Sequence, residues 1–279
     1  MSPDPAESQR LHDLVEAFAH TAQAVVDLAH ACGVDDLGQP TECPGWTVHD
    51  QISHVVGVES WLEGHKDPRV EMPHYEHIRN DLGKKVEYAV EVRRGRTGTE
   101  VVAELEDVLA QRLSTLSDPA LTDSSMIAGP FGPDLAATVV LLRTFDVWTH
   151  EQDIRSALGR PGNLDSPAAA VFVGAVMLQL PRLIAKGAGL EPGDAVVFDV
   201  TGPVVARQGV RVEVDEQGRR RGHAIHADPQ PDGATTISLS TEAFTRRAAG
   251  RRSVSDTAYS VVGDHAVARR VMEALVVTH

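Results

Sequence analysis

Residues 142–161 read LRTFDVWTHEQDIRSALGRP, and this stretch decides the fold of the first part of the chain. It continues a helical pattern that begins at a predicted cap, Asp134, and runs through Leu135, Val139, Leu142, Arg143, Asp146, His150 and Ile154. Gly159-Arg160-Pro161 is a strong stop, a C-terminal glycine followed by proline. Asp146 and His150 are four apart, so they project from one face of the helix, one turn above the other. Their neighbours are mostly apolar or aromatic, and a carboxylate in such surroundings is costly unless paired or coordinated. With His54 far upstream they make a candidate divalent-metal set, zinc above all. Catalytic zinc takes three protein ligands from His, Asp or Glu and keeps one position open. Facing helices of a bundle are a natural place to build such a set. The same spacing also fits a surface pair with His54 as a core histidine, and spacing alone leans to that plainer reading.

Working outward, Leu11, Leu14, Val15, Phe18, Ala22, Val25, Val26 and Ala29 recur at helical spacing before Gly33. Thr47 is a predicted N-cap, with Asp50 completing a capping-box pattern for a helix that carries His54 and ends near Gly64. His65, His74 and His77 fall in a polar segment read as mobile and outside the site. Helices follow around Val86–Arg94 and Glu100–Leu116, and Ser166-Pro167 opens another that reaches about Lys186. After a Gly- and Pro-bearing linker near residues 187–194 the pattern turns to short β-rich runs, at 196–200, 204–206, 210–214, 224–226 and 235–239. Helical patterns return at 241–249 and 264–275. The expected architecture is an all-α domain over residues 1–190 and a small α+β domain over 191–279.

The chain has 279 residues, 42% of them hydrophobic, and a formal charge of -14. Residues 1–190 hold 15 Lys and Arg against 28 Asp and Glu, while residues 191–279 hold 11 against 12. So acidic a front half argues against nucleic acid, whose binding rests on basic surface. Arg219-Arg220-Arg221 follows a hairpin-like Asp215-Glu216-Gln217-Gly218 and reads as a solvated strand edge. Two cysteines, Cys32 and Cys43, cannot staple a chain of this length, and Cys43 reads as a small buried residue with no nucleophilic role. The acidic start, Met1 to Glu7, lacks the apolar stretch of a secretory signal. No apolar run is expected to approach the roughly 20 residues that span a bilayer. A soluble, unanchored, cytoplasmic protein is the expectation.

Two stretches carry a family resemblance. Residues 40–54, PTECPGWTVHDQISH, resemble the signature PTPCPGWTVRDLVAHL of the mycothiol-dependent maleylpyruvate isomerase family, part of the DinB-like group of metal-binding four-helix bundles. Residues 142–159 resemble its second signature, RTFEVWVHAWDIRRALG. Phe244 to Ser253, FTRRAAGRRS, is similar to the family's sterol-carrier-like C-terminal domain. The resemblance implies a DinB-like four-helix bundle followed by that α+β domain. It places three zinc ligands on His54, Asp146 and His150, the residues already reached by spacing. Asp146 stands where the family more often has glutamate, one methylene longer.

Further roles attach to residues around this set, some by position and some by the resemblance. Asp153, one turn beyond His150, would orient the ligand imidazole, unless it pairs with Arg155 instead. Arg143 would balance charge near the metal or contact an anionic substrate, or serve as a structural ion pair. Arg251, after the glycine of a GR motif, would clamp a substrate carboxylate from a C-terminal domain closing on the site, with Arg252 the adjacent alternative. Trp46 and Trp148 read as core. The implied cosubstrate is mycothiol, the low-molecular-weight thiol of actinobacteria, held as thiolate on Zn2+ or another divalent metal. Its sulfur would add to a small electrophile, either for cis–trans isomerisation of a maleylpyruvate-type double bond or for S-transfer, with no protein nucleophile. A non-catalytic binding protein and a metal-dependent hydrolase are the competing readings.

Overall fold

The computed structural model describes residues 5–278, with side chains described from Arg10 onward. Residues 1–4, part of the start of the chain read above, lie outside the described residues. The chain divides into two compact units, 1–162 and 163–279.

In the first unit the elements run α1 (Pro5–His30), α2 (Val34–Leu37), α3 (Val48–Leu62), α4 (Asp81–Arg94), α5 (Gly98–Leu116), β1 (Met126–Ile127), β2 (Asp134–Leu135) and α6 (Ala136–Ala157). α1 packs against α5 and α6, and α3 packs against α4, α5 and α6. Phe18, Ile52, Leu105, Trp148 and Ile154 are fully buried where these helices meet. Each such side chain contributes about 1.5–3 kcal/mol. Thr47 caps α3 as expected, its hydroxyl accepting from the Asp50 N–H while Asp50 returns to the Thr47 N–H. Gly159 takes φ +61 after α6, the left-handed conformation that ends a helix at glycine.

Asp134 does not cap α6. It sits in the two-residue strand β2, paired with Ile127, and its side chain accepts from the N–H of Leu135, so Leu135 holds the N-cap position without a side-chain bond. The segment between α3 and α4 is tied down. Asp67 accepts from Trp61 and Arg93, Tyr75 donates to Glu91, and His77 meets Glu87 at 2.7 Å. Alternation and composition read this segment as mobile because its anchors lie on other helices.

The second unit begins with α7 (Pro167–Gly187), followed by β3 (Ala195–Thr201), β4 (Val205–Val214), β5 (Arg220–Ile225), β6 (Thr235–Leu239), α8 (Thr241–Ala248), β7 (Ser260–Val262) and α9 (His265–Ala274). The sheet order is β5-β4-β3-β6-β7, with β3 and β6 parallel and the other neighbours antiparallel. The boundary therefore falls near residue 162, where residue 190 was expected. The reason is α7: its Phe172, Val173, Val176, Leu180 and Ile184 are buried, and it packs on β4, β5, α8 and α9. At Gly222 a Cβ would lie 2.0 Å from the Pro181 carbonyl oxygen, so only glycine allows α7 this close to β5. By length and composition α7 could also cross a membrane, which corrects the expectation that no run approaches that length. Its apolar face is used inside the unit. Arg219 and Arg221 pair with Asp215, and Arg220 with Glu191, on and beside the exposed edge strand β5.

Candidate metal centre

α3 brings Gln51, His54 and Glu59 to face Arg143, Asp146, His150 and Asp153 of α6. One ligand atom from each of His54, Asp146 and His150 lies within 4.8 Å of the others. His54 Nε2 is 3.0 Å from Asp146 Oδ2, and His150 Nε2 is 3.6 Å from Asp146 Oδ1. The two imidazoles meet edge to face at 4.4 Å between centroids. Both histidines are buried, whereas the Asp146 side chain keeps 34% of its surface exposed and opens the group on one side. The three residues that spacing singled out are thus brought together.

The surroundings set the charge states. Burial pushes His54 down, and His150 pushes it further, to about 4 against the pull of Asp146. Burial also acts to lower His150, but Asp146 and Asp153 outweigh it and raise that imidazole above its ordinary value. For Asp146, burial acts upward, yet Arg143, His54 and His150 hold its carboxyl well below the usual carboxylate range. Unlike neighbours drive two identical side chains in opposite directions.

Arg143 Nη1 donates to Asp146 Oδ2 at 2.8 Å, and its Nε donates to Glu59 at 2.7 Å. Glu59 is fully buried and meets Arg112 at 3.2 Å on its other oxygen, and Arg112 in turn donates to Glu63. Asp153 is also fully buried, 3.4 Å from His150 Nδ1, while Arg155 pairs with Glu151.

Several neighbours were not reached from the sequence. Gln51 Oε1 lies 2.5 Å from His150 Nδ1. The one available signal is its polarity: it stands where the resembled signature carries leucine, three residues before His54. Trp46, core by its sequence pattern, also walls the group, its ring 5.1 Å from that of His54 and 5.8 Å from that of His150. Its indole N–H donates to buried Glu87, which also meets His77 and Arg94. Gly45 makes room: it holds φ +82, and a Cβ there would fall 2.3 Å from the His77 ring. His65 contacts Gln111, away from the group. Arg251 belongs to the second unit, at the end of α8, where its guanidinium donates to the Ala249 carbonyl. In the same unit Arg247 donates to the backbone carbonyls of Met272, Arg252 and Glu273.

A crystal structure of the mycothiol-dependent maleylpyruvate isomerase is 17% identical to this chain, covering 90% of it and 92% of that chain, with a TM-score of 0.50. A mutant of that enzyme is 16% identical with the same coverage and a TM-score of 0.49. At such identity the likeness is one of fold: a helical domain followed by an α+β domain. No curated protein sequence matches significantly. Residues 18–155 match the family described as mycothiol maleylpyruvate isomerase N-terminal domain, and over those residues the chain belongs to that family.

Proposed function

We propose that this chain is an enzyme of the isomerase type that uses mycothiol and a divalent metal, zinc first among them. The observation that carries the reading is the convergence of His54, Asp146 and His150, two nitrogens and an oxygen within 4.8 Å of one another. That donor set suits a zinc site with an open position. Zinc bound there would hold an incoming thiol as its thiolate. The protein's own groups prepare the place. Arg143 keeps Asp146 ionised, Trp46 shields both imidazoles, and the exposed edge of Asp146 leaves access for a small electrophile. Asp153, against His150 Nδ1, is a positioning carboxylate.

The packing of α1, α3, α5 and α6 on one another supports a DinB-like four-helix bundle, with α4 laid against α3. The second unit is read as sterol-carrier-like, and Arg251 is kept as its candidate anion-binding residue. Cys32 and Cys43 form no disulfide, which suits a reduced cytoplasmic setting. The electrophile is a small molecule, isomerised or carried off on sulfur.

The test begins with metal analysis of protein purified without chelator, then incubation with mycothiol and maleylpyruvate, then with a generic electrophile. Thiol-dependent turnover that disappears in His54→Ala and His150→Ala supports the reading. Absence of stoichiometric metal would sink it. Turnover without thiol would point to a hydrolase instead.

A further inference from the structure

The two ligand-type histidines differ in how their protons are held. His54 Nε2 donates to Asp146 Oδ2, and its buried Nδ1 has no hydrogen-bond partner among the described residues. His150 is connected the other way round. Its Nδ1 meets Gln51 Oε1, and the Gln51 amide nitrogen donates to Thr41 Oγ1 at 2.7 Å. Thr41 Oγ1 donates its single proton to the Trp46 carbonyl at 2.9 Å and also accepts from the Cys43 N–H. A carbonyl can only accept, so the direction of the whole chain is set from that end. With the Thr41 proton committed to Trp46, the hydroxyl must accept from the Gln51 amide. The amide oxygen is then turned to His150, and an oxygen facing Nδ1 requires that Nδ1 carry the hydrogen. Asp153 Oδ2, 3.4 Å from the same atom, asks for the same arrangement. The lone pair of His150 is thereby left on Nε2, the nitrogen that faces Asp146 Oδ1.

We propose that Gln51 is a positioning residue that presets His150 as a metal ligand, through the one-way hydrogen-bond chain Trp46 carbonyl, Thr41, Gln51, His150. The inference rests on the metal reading above and goes beyond it. As a neutral ring His150 already presents Nε2 to a metal, whereas neutral His54 must move its proton from Nε2 to Nδ1. The loop that supplies Trp46 as a wall thus also sets a tautomer on α6, through a fully buried amide on α3. Outer partners of metal-binding histidines act in this way on ring orientation and basicity.

The first measurement needs no variant: imidazole 15N shifts in the metal-free, full-length protein, at a pH where His150 is neutral. The expected result is Nδ1–H on His150 and Nε2–H on His54. Zinc affinity is then measured by competition with a chromophoric chelator. Gln51→Met keeps the volume and removes both hydrogen bonds, and affinity is expected to fall about 10- to 100-fold. Gln51→Glu keeps an acceptor against Nδ1 and should retain more of the affinity than Gln51→Met. Thr41→Val, which cuts the link that sets the direction, should fall between the wild type and Gln51→Met. An Nε2–H tautomer on His150, or wild-type zinc affinity in Gln51→Met, overturns the proposal. A wild-type protein that binds no zinc overturns the metal reading instead, and the tautomer then decides this one alone. If Gln51→Met does not fold, the wild-type tautomer and Thr41→Val still decide.

Discussion

The first unit holds two partly buried polar clusters that share Trp46 as a wall, and they are built on opposite principles. Around Arg94, each of Asp50, Glu87 and Glu91 has an oxygen within 3.1 Å of the guanidinium. Glu87 also receives Trp46 and His77, and Tyr75 lies under the Arg94 guanidinium while donating to Glu91. Around Asp146, two imidazoles are pressed together over one carboxylate, and His54 Nδ1 is buried without a hydrogen-bond partner among the described residues. Native interiors seldom leave such a group unmatched without a reason. In the Arg94 cluster every carboxylate is ion-paired with the guanidinium, and the cluster acts as scaffold. The histidine cluster is the one that a ligand would complete.

The largest effect that separates them lies in metal binding. His54→Ala or His150→Ala removes one of the three proposed ligands, and zinc affinity should fall by three orders of magnitude or more, about 4 kcal/mol. Metal-free denaturation should shift less in His54→Ala, whose Nδ1 has no hydrogen-bond partner to lose, than in His150→Ala, which also takes a partner from Gln51 and Asp153. Competition titration and urea unfolding on the same variants separate the two outcomes. A large stability loss with unchanged zinc binding would reverse the assignment of the clusters.

Glu87→Ala tests the scaffold side. It strips the shared acceptor from Trp46 and His77 and one carboxylate from Arg94, and breaking a buried pair of this kind costs about 3 kcal/mol. The loss should appear in denaturant unfolding of metal-free protein, with any change in zinc affinity secondary to movement of Trp46.

Asp146→Asn acts on the histidine side with a smaller expected effect. The amide can still coordinate weakly through its oxygen, but the charge that raises His150 is gone. Zinc affinity should fall by about tenfold or more. The His150 imidazole should also titrate lower in the metal-free variant than in the wild type, which an NMR titration reads directly. An unchanged His150 titration would mean that Asp153 alone sets it.

How much of this contrast is legible in the sequence depends on how local each signal is. The Thr47 cap, the Gly159 stop and the Asp146–His150 spacing are all settled within one or two turns, and each stands in the structure where the pattern puts it. Glu87 and Gln51 act on partners 41 and 99 residues away, and no periodicity carries such a pairing. Arg93 and Arg112 are almost wholly buried although charged, because Asp67, Glu104, Glu59 and Glu63 arrive from other elements to meet them, and no local pattern carries that pairing. For α7 the failure is of another sort. Its apolar face is plain in the sequence, but apolarity does not say which neighbour covers it, and the sheet that does so begins only after the helix ends.

The smallest predicted effect is a pH dependence on the scaffold side. Burial acts to raise the Glu87 carboxyl, but hydrogen bonds from His77, Trp46 and Arg94 outweigh it and hold the group below its ordinary value of 4.5. A carboxylate depressed in the folded state adds stability that is fully present above the unfolded value and is lost as pH falls through the folded one. In Glu87→Gln that contribution is missing at every pH. The wild type and the variant should therefore differ most near neutral pH and converge only as pH falls from the ordinary value of 4.5 through the lower folded one, where the wild-type carboxyl takes up its proton. Urea unfolding of metal-free protein at a series of pH values measures the convergence. A gap between the two that stays constant down through that range would mean that Glu87 contributes by shape and packing rather than by its charge. The Arg94 cluster would then differ from the histidine cluster in packing alone.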